Sequence, residues 1–298
     1  STGPVVTVSA SVVGANSAGV LAVTGNEASG VGEIEFANLN ITAIADSYVL
    51  SFSGEVNGVT FGSITTSGTI DITHGDPTQL TIITPAAGSR AGLAFTQSPV
   101  LEIQDSAGNR VVDSSLTLTV TSSAQTLIGT RQVNASAGTA SFAVNLGLEG
   151  SNSNGITLTY KTTFNGQDIT TSQSIDLFAG LPSSLRILED ASTVSTRAVF
   201  SPVPSVEVLD AYGNVVLSDN DSEVTVALYR NGVAISSESD PVTASSGVVA
   251  FNGLSYIATP LSNYKLQFSH TSISAVVTSS PFVIEPGPVA KVVIYQQP

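Results

Sequence analysis

Residues 98–112 read SPVLEIQDSAGNRVV, and residues 203–217 read VPSVEVLDAYGNVVL. Pro99, Glu102, Asp105, Gly108 and Asn109 return 105 positions later as Pro204, Glu207, Asp210, Gly213 and Asn214. A fixed period marks an array of similar modules, each folding as one unit. In both copies a proline, which has no N–H for a ladder, precedes alternating apolar residues: Leu101 and Ile103, then Val206 and Val208. Period two is the signature of a strand with one buried face. The strand then runs into Asp-x-x-Gly. Asp at the first position and Gly at the fourth fit a type I turn, with the carboxylate capping backbone N–H groups. Asp105, Gly108, Asp210 and Gly213 are therefore read as structural turn residues.

On either side of this stretch, other blocks recur in the same order. Seams with proline stand at Asp76-Pro77, Leu181-Pro182 and Gly287-Pro288, and each leads into an alternating run: 80–84, 185–188 and 291–295. Gly138-Thr-Ala-Ser-Phe142 matches Gly247-Val-Val-Ala-Phe251 and Gly32-Glu-Ile-Glu-Phe36. Tyr48-Val-Leu-Ser-Phe52 matches Tyr264-Lys-Leu-Gln-Phe268, with Ile156-Thr-Leu-Thr-Tyr160 between them. No segment of ten or more residues holds a helical period. Short strands at roughly 8–12-residue spacing, parted by Gly, Asn, Asp and Ser, predict an all-β chain of packed sheets.

Tyr-x-Leu-x-Phe late in a seven-strand pattern looks like the tyrosine corner of immunoglobulin-like sandwiches, whose phenol bonds back to nearby backbone. Tyr48 and Tyr264 hold that position; Ile156 replaces it in the middle copy, which must close its corner differently. With the blocks at Pro99–Val112 and Pro204–Val216, the chain resembles the bacterial immunoglobulin-like repeats found in tandem in very large surface proteins and adhesins, including invasin- and intimin-like arrays. The resemblance covers nearly the whole chain. It implies tandem immunoglobulin-like β-sandwich modules in a linear array, and a stalk, spacer, adhesive or polymer-forming role outside the cell.

The blocks divide the chain into a partial module at 1–74, complete modules at 75–179 and 180–286, and the first strand of a further module at 287–298. Pro4–Val8 matches the strand after the Asp-x-x-Gly turn, so the first part starts in mid-module. The phase reads as a window or processed piece of a longer array. The alternative is a polymer-forming subunit of a filament, sheath or surface layer. There the strand Lys291, Val292, Val293, Ile294 and Tyr295 completes the open module of the next copy by strand addition. End-to-end modules of this size predict a rod over roughly a hundred ångströms long.

Composition narrows the function classes. The 298 residues carry 23 Asp and Glu against 9 Lys and Arg, for a net charge of −14, and no Cys or Met. The acidity is spread along the chain, with net −6 in 1–74, −3 in 75–179 and −6 in 180–286. A field of this sign repels phosphate backbones and anionic lipid, which argues against nucleic-acid and membrane partners. No run reaches the roughly 18–20 apolar residues of a membrane span. Without cysteine there are neither disulfides nor thiolate metal sites. The partners expected are neighbouring modules, further copies of the chain and cell-surface polymers, in an extracellular or cell-surface setting.

Enzymatic chemistry finds little support. There is no Gly-x-Ser-x-Gly elbow, and the two histidines, His74 and His270, occupy non-equivalent places and read as surface residues. No cofactor is expected, with one exception. Asp219, Asp221 and Glu223 alternate along a loop, a spacing of oxygen donors suited to calcium, although the mid-loop Gly and later Glu of an EF-hand are missing. The sequons at Asn40, Asn134 and Asn220 match no more than chance allows in a chain so rich in Ser and Thr. Lys161 and Lys265 fall out of phase, which disfavours an isopeptide staple. Tyr212 and Tyr229 read as isolated surface aromatics. The sequence thus predicts a non-enzymatic structural segment, with an adhesive or glycan-binding segment as a further alternative.

Overall fold

The computed structural model describes residues 3–14, 17–289 and 291. No ladder joins strands from different repeats among the described residues, so each copy builds its own sheets. In the second copy, Gln79–Thr84, Val100–Gln104 and Thr139–Ser141 form one three-stranded sheet. It faces a four-stranded sheet ordered Gln132–Asn134, Thr117–Ser122, Ser153–Phe164, Gln167–Leu177. The third copy repeats the plan. Ser184–Glu189, Ser205–Leu209 and Val248–Ala250 face a larger sheet centred on Glu223–Arg230, Leu261–His270 and Phe282–Glu285. This is the tandem immunoglobulin-like β-sandwich architecture.

The alternating residues of the two facing sheets make the cores. Leu101, Ile103, Leu118, Leu158 and Tyr160 are fully buried in the second copy, and Val206, Val208, Val226, Leu266 and Phe268 in the third. Each fully buried Leu or Ile stabilises by about 1.5–3 kcal/mol, which replaces the disulfides this chain lacks. Two long hairpins turn on Asn57-Gly58 and Asn165-Gly166, both residues at positive φ, the backbone twist that a two-residue hairpin needs.

The first copy differs. Glu27–Gly30, Val6–Val13, Ser47–Val56 and Val59–Thr65, with Ile70–Asp71 also paired to Ser47–Val56, form its five-stranded sheet, but no three-stranded sheet faces it among the described residues. Register makes the consequence measurable. Phe61 pairs with Gly54 as Ile169 pairs with Thr162, yet Phe61 is 49% exposed and Ile169 8%. The block Gly32–Phe36, aligned with two strands, forms none. Its counterparts ladder onto Val100–Gln104 and Ser205–Leu209, and no described strand offers that edge here. Phe36 still packs on Phe52, ring centroids 5.5 Å apart. Of the proposed donor strand, Val292 to Tyr295 lie outside the described residues, and Lys291 is exposed and in no strand.

Candidate functional site at the module junctions

The Asp-x-x-Gly-Asn turn does more than reverse the chain. The Gly108 N–H donates to the Asp105 carbonyl at 3.1 Å, closing the turn, with Gly108 at φ +87°. Asp105 Oδ1 accepts from the N–H groups of Ala107 at 2.9 Å and Asn109 at 2.8 Å. Its second oxygen accepts from the Asn109 amide at 2.9 Å and from the N–H of Gly75, thirty residues back in the seam, at 2.7 Å. The Asn109 amide then reaches into the preceding copy. Its Nδ2 donates to the Ala43 carbonyl at 3.1 Å, and its Oδ1 accepts from the Ala45 N–H at 2.7 Å. One turn therefore ties together its own module, the seam and the module before it.

The next junction repeats the arrangement bond for bond. Asp210 accepts from Tyr212 N–H at 2.8 Å, Asn214 N–H at 2.9 Å, the Asn214 amide at 2.8 Å and the seam Gly180 N–H at 2.8 Å. Asn214 Nδ2 donates to the Gly150 carbonyl at 3.0 Å, and its Oδ1 accepts from Asn152 N–H at 2.8 Å. Equivalent distances agree to 0.1 Å. Both aspartates are buried, which by itself raises a carboxyl pKa. The four donors outweigh burial and hold Asp105 and Asp210 below the ordinary 3.8.

One of the two tyrosine corners sits beside a lock. Tyr48 donates its hydroxyl to the Ile44 carbonyl at 2.7 Å, fixing the residue between the two that Asn109 grips. Tyr264 donates to the Thr259 carbonyl at 2.8 Å. Where Ile156 replaces the tyrosine, Gln173 closes the module: it accepts from Ala86 N–H at 2.9 Å and Tyr160 Oη at 3.2 Å, and donates to the Ala86 carbonyl at 3.0 Å. Burial pushes the Tyr160 hydroxyl pKa up.

Tyr212, expected to be an isolated surface aromatic, lies at the second junction. Its ring covers Gly92 of the preceding copy so closely that a Cβ there would meet the ring 2.8 Å away, and its hydroxyl donates to Glu149 at 2.9 Å. Burial and the neighbouring carboxylates follow the Glu149 bond in raising its pKa. Arg90 crosses the same junction to Ser218 at 3.2 Å. His74, in the first seam, approaches Asp113 at 3.4 Å.

The three residues read as calcium donors are not gathered. Asp219 is buried and spends Oδ1 on the N–H groups of Asp221 at 3.1 Å and Ser222 at 2.9 Å. Asp221 and Glu223 are exposed, and no cluster of three His, Asp or Glu able to hold a metal occurs among the described residues. His270 is half-buried, not a surface residue. Its Nδ1 accepts from Ser272 N–H at 3.0 Å, so Nε2 carries the proton and donates to Ser222 Oγ at 3.0 Å. Ser222, His270 and the nearby Asp219 have the composition of a hydrolytic triad with the bonds reversed: no carboxylate engages Nδ1, and Nε2 is not free to take a proton. Burial lowers the His270 pKa, partly offset by Asp219.

The sheets, cores and locks define a string of hydrogen-bonded immunoglobulin-like modules. No protein-family model and no curated protein matches the chain. Among solved structures it is similar to the Escherichia coli adhesin FdeC, at 17% identity and a TM-score of 0.42, over 94% of this chain and 85% of that one. It is also similar to invasin, a bacterial integrin-binding protein, at 13% identity and a TM-score of 0.35; the match covers 95% of this chain and 53% of that one. Domains 4–9 of the surface layer protein SbsC align at 16% identity and a TM-score of 0.24, over 94% and 39% of the two chains. No helix of the described residues is long and apolar enough to cross a membrane.

Proposed function

We propose that this chain is a non-enzymatic spacer segment of an extracellular, cell-surface protein, built to hold successive modules at a fixed angle. The observation that carries the reading is the Asp–Asn lock, repeated at both junctions with distances equal to 0.1 Å. A flexible tether has no use for a buried carboxylate that accepts four hydrogen bonds and an amide that grips the module before it. Each lock instead ties two modules so that bending at the seam must break the two amide–backbone bonds into the preceding copy, about 1–2 kcal/mol together, while the carboxylate holds the gripping amide in place. The partners of a lock are the adjacent modules of the same chain. The acidity spread over all three copies keeps such a rod soluble and away from nucleic acid and anionic lipid.

Small-angle scattering coupled to sizing chromatography tests this. A monomeric, extended particle with one dominant maximum dimension is expected, unchanged between low and physiological salt because the locks are buried. A collapsed or broadly flexible particle argues against the spacer reading, and concentration-dependent growth argues for a polymer-forming subunit.

A further inference from the structure

Module three carries an open trough on the outer face of its larger sheet. On the strand Leu261–His270, Tyr264, Leu266 and Phe268 point into the core, which leaves Asn263, Lys265 and Gln267 on the outer face. Tyr229 lies directly across from Lys265, Thr278 directly across from Gln267, and Asn231 sits in the tight turn Asn231-Gly232 at one end. These six side chains line a concavity of about 470 Å³. Gly232 and Pro281 complete the lining. The Asn231, Asn263, Lys265 and Gln267 side chains make no hydrogen bond or ion pair to another described residue. Three primary amides, an ammonium and a tyrosine thus converge on one surface with their bonding capacity unused.

The equivalent face of module two has no such inventory. Thr157 and Thr159 stand in the strand there, Thr121 pairs with Thr159, and Ser123 is spent on the Thr157 N–H at 3.0 Å. The trough also departs from the rest of the chain in charge. In a protein with 23 acids and 9 bases, it is lined by one Lys and no acid.

We propose that this trough is a binding site for an acidic polysaccharide, one whose sugar rings carry carboxylates. The chemistry of the lining selects that class. A tyrosine ring offers a face for the apolar side of a pyranose. Side-chain amides, each both donor and acceptor, match adjacent sugar hydroxyls, which are also both. Lys265 supplies the single positive charge that a uronate carboxylate pairs with. A phosphate ligand would call for a guanidinium fork or several cations, and none is here. The shallow, open form suits a chain that runs through the site rather than a small molecule enclosed by it. The net charge of −14 does not oppose this at physiological salt, where fields are screened beyond about 8 Å and the local sign decides. The inference is independent of the spacer reading, since a rod of locked modules holds such a face away from its attachment point whether or not the face is occupied.

Native electrophoresis of the full chain at physiological salt, in gels cast with alginate or with uncharged dextran, tests the assignment, the dextran gel measuring retardation by sieving alone. The wild-type band should be retarded by alginate and not by dextran. Lys265→Gln, at an exposed position that leaves the fold intact, should lose most of the retardation. Tyr229→Ala should lose it entirely, and Thr159→Ala on the module-two face should migrate as wild type. Melting temperatures of all variants separate lost binding from lost folding. No retardation of the wild type in alginate overturns the proposal. So does equal retardation of wild type and Lys265→Gln, or equal retardation by both polymers.

Discussion

The two module junctions share every bond of the Asp–Asn lock and differ in what surrounds it. At the first, Asn109 grips a loop that Tyr48 pins from its own module, and the flanking contact is the His74–Asp113 pair on the surface. At the second, no tyrosine corner shapes the gripped loop. Tyr212 packs on Gly92 instead, and Arg90 reaches Ser218. The part common to both is built from one buried carboxylate, one buried amide and one seam glycine. Of the parts that vary, Tyr48 is buried and the rest are exposed or half-exposed. The lock sets the geometry between modules, while the surrounding contacts adjust how firmly it is held.

Breaking the common part should have the largest effect. Asp210→Ala removes the acceptor of four hydrogen bonds and leaves buried donors without partners. It should cost about 3 kcal/mol or more in calorimetry, and Asp105→Ala should match it at the first junction. Asn214→Ala and Asn109→Ala sharpen the point. Each loses the two bonds into the preceding copy, about 1–2 kcal/mol. The loss should appear as faster hydrogen exchange at Asn152 or Ala45, with little change in the main melting transition.

Acidification attacks both locks together. Asp105, Asp210 and Asp219 have folded pKa values below the ordinary 3.8, so their stabilisation is complete above that value. It is lost as pH falls through their folded values. His270, with a lowered pKa, contributes stability that is complete above about 6.5 and is lost as pH falls below it, since a proton on Nδ1 would displace the Ser272 N–H. Melting temperature should therefore decline modestly below about pH 6.5 and steeply below about pH 4. His270→Gln should remove the first decline and keep the second.

Smaller effects separate the surroundings. Tyr264→Phe and Tyr48→Phe should each cost about 1 kcal/mol, and only Tyr48→Phe should also loosen a lock. Tyr212→Phe should cost about 0.5 kcal/mol or less, because the Glu149 bond is exposed and the ring keeps its place over Gly92.

Much of this was legible in the sequence where the physical cause is local. Alternating residues such as Leu101 and Ile103 must lie on one face of a strand, and Asp105 and Gly108 satisfy a turn within four residues. The tyrosine corner is also short in range, as Tyr48 bonds a carbonyl four residues back. What escaped depends on distance along the chain. Asn109 and Asn214 find their inter-module partners 62 to 66 residues away, so nothing near them marks the bond. The signal was present in another form: an asparagine repeated after a turn already complete, and a glycine thirty residues before each aspartate. Tyr212 looked idle because its contact is a glycine in the preceding module, and Asp219 looked like a cation ligand because its backbone partners are invisible as residue types. Gly32–Phe36 carries a strand pattern yet forms none, because a ladder needs an edge to pair with.

The central claim is that the buried Asp–Asn lock, and not the seam or the surface contacts, fixes one module against the next. The absence of cysteine allows two to be placed at will. Spin labels at Thr170→Cys and Ser237→Cys, both exposed and on either side of the second junction, report the distance between modules by pulsed electron resonance. The account predicts a single narrow distribution in the parent chain that broadens in Asn214→Ala and more so in Asp210→Ala, with both modules still folded. A broad distribution in the parent, or one equally narrow in both variants, would contradict it.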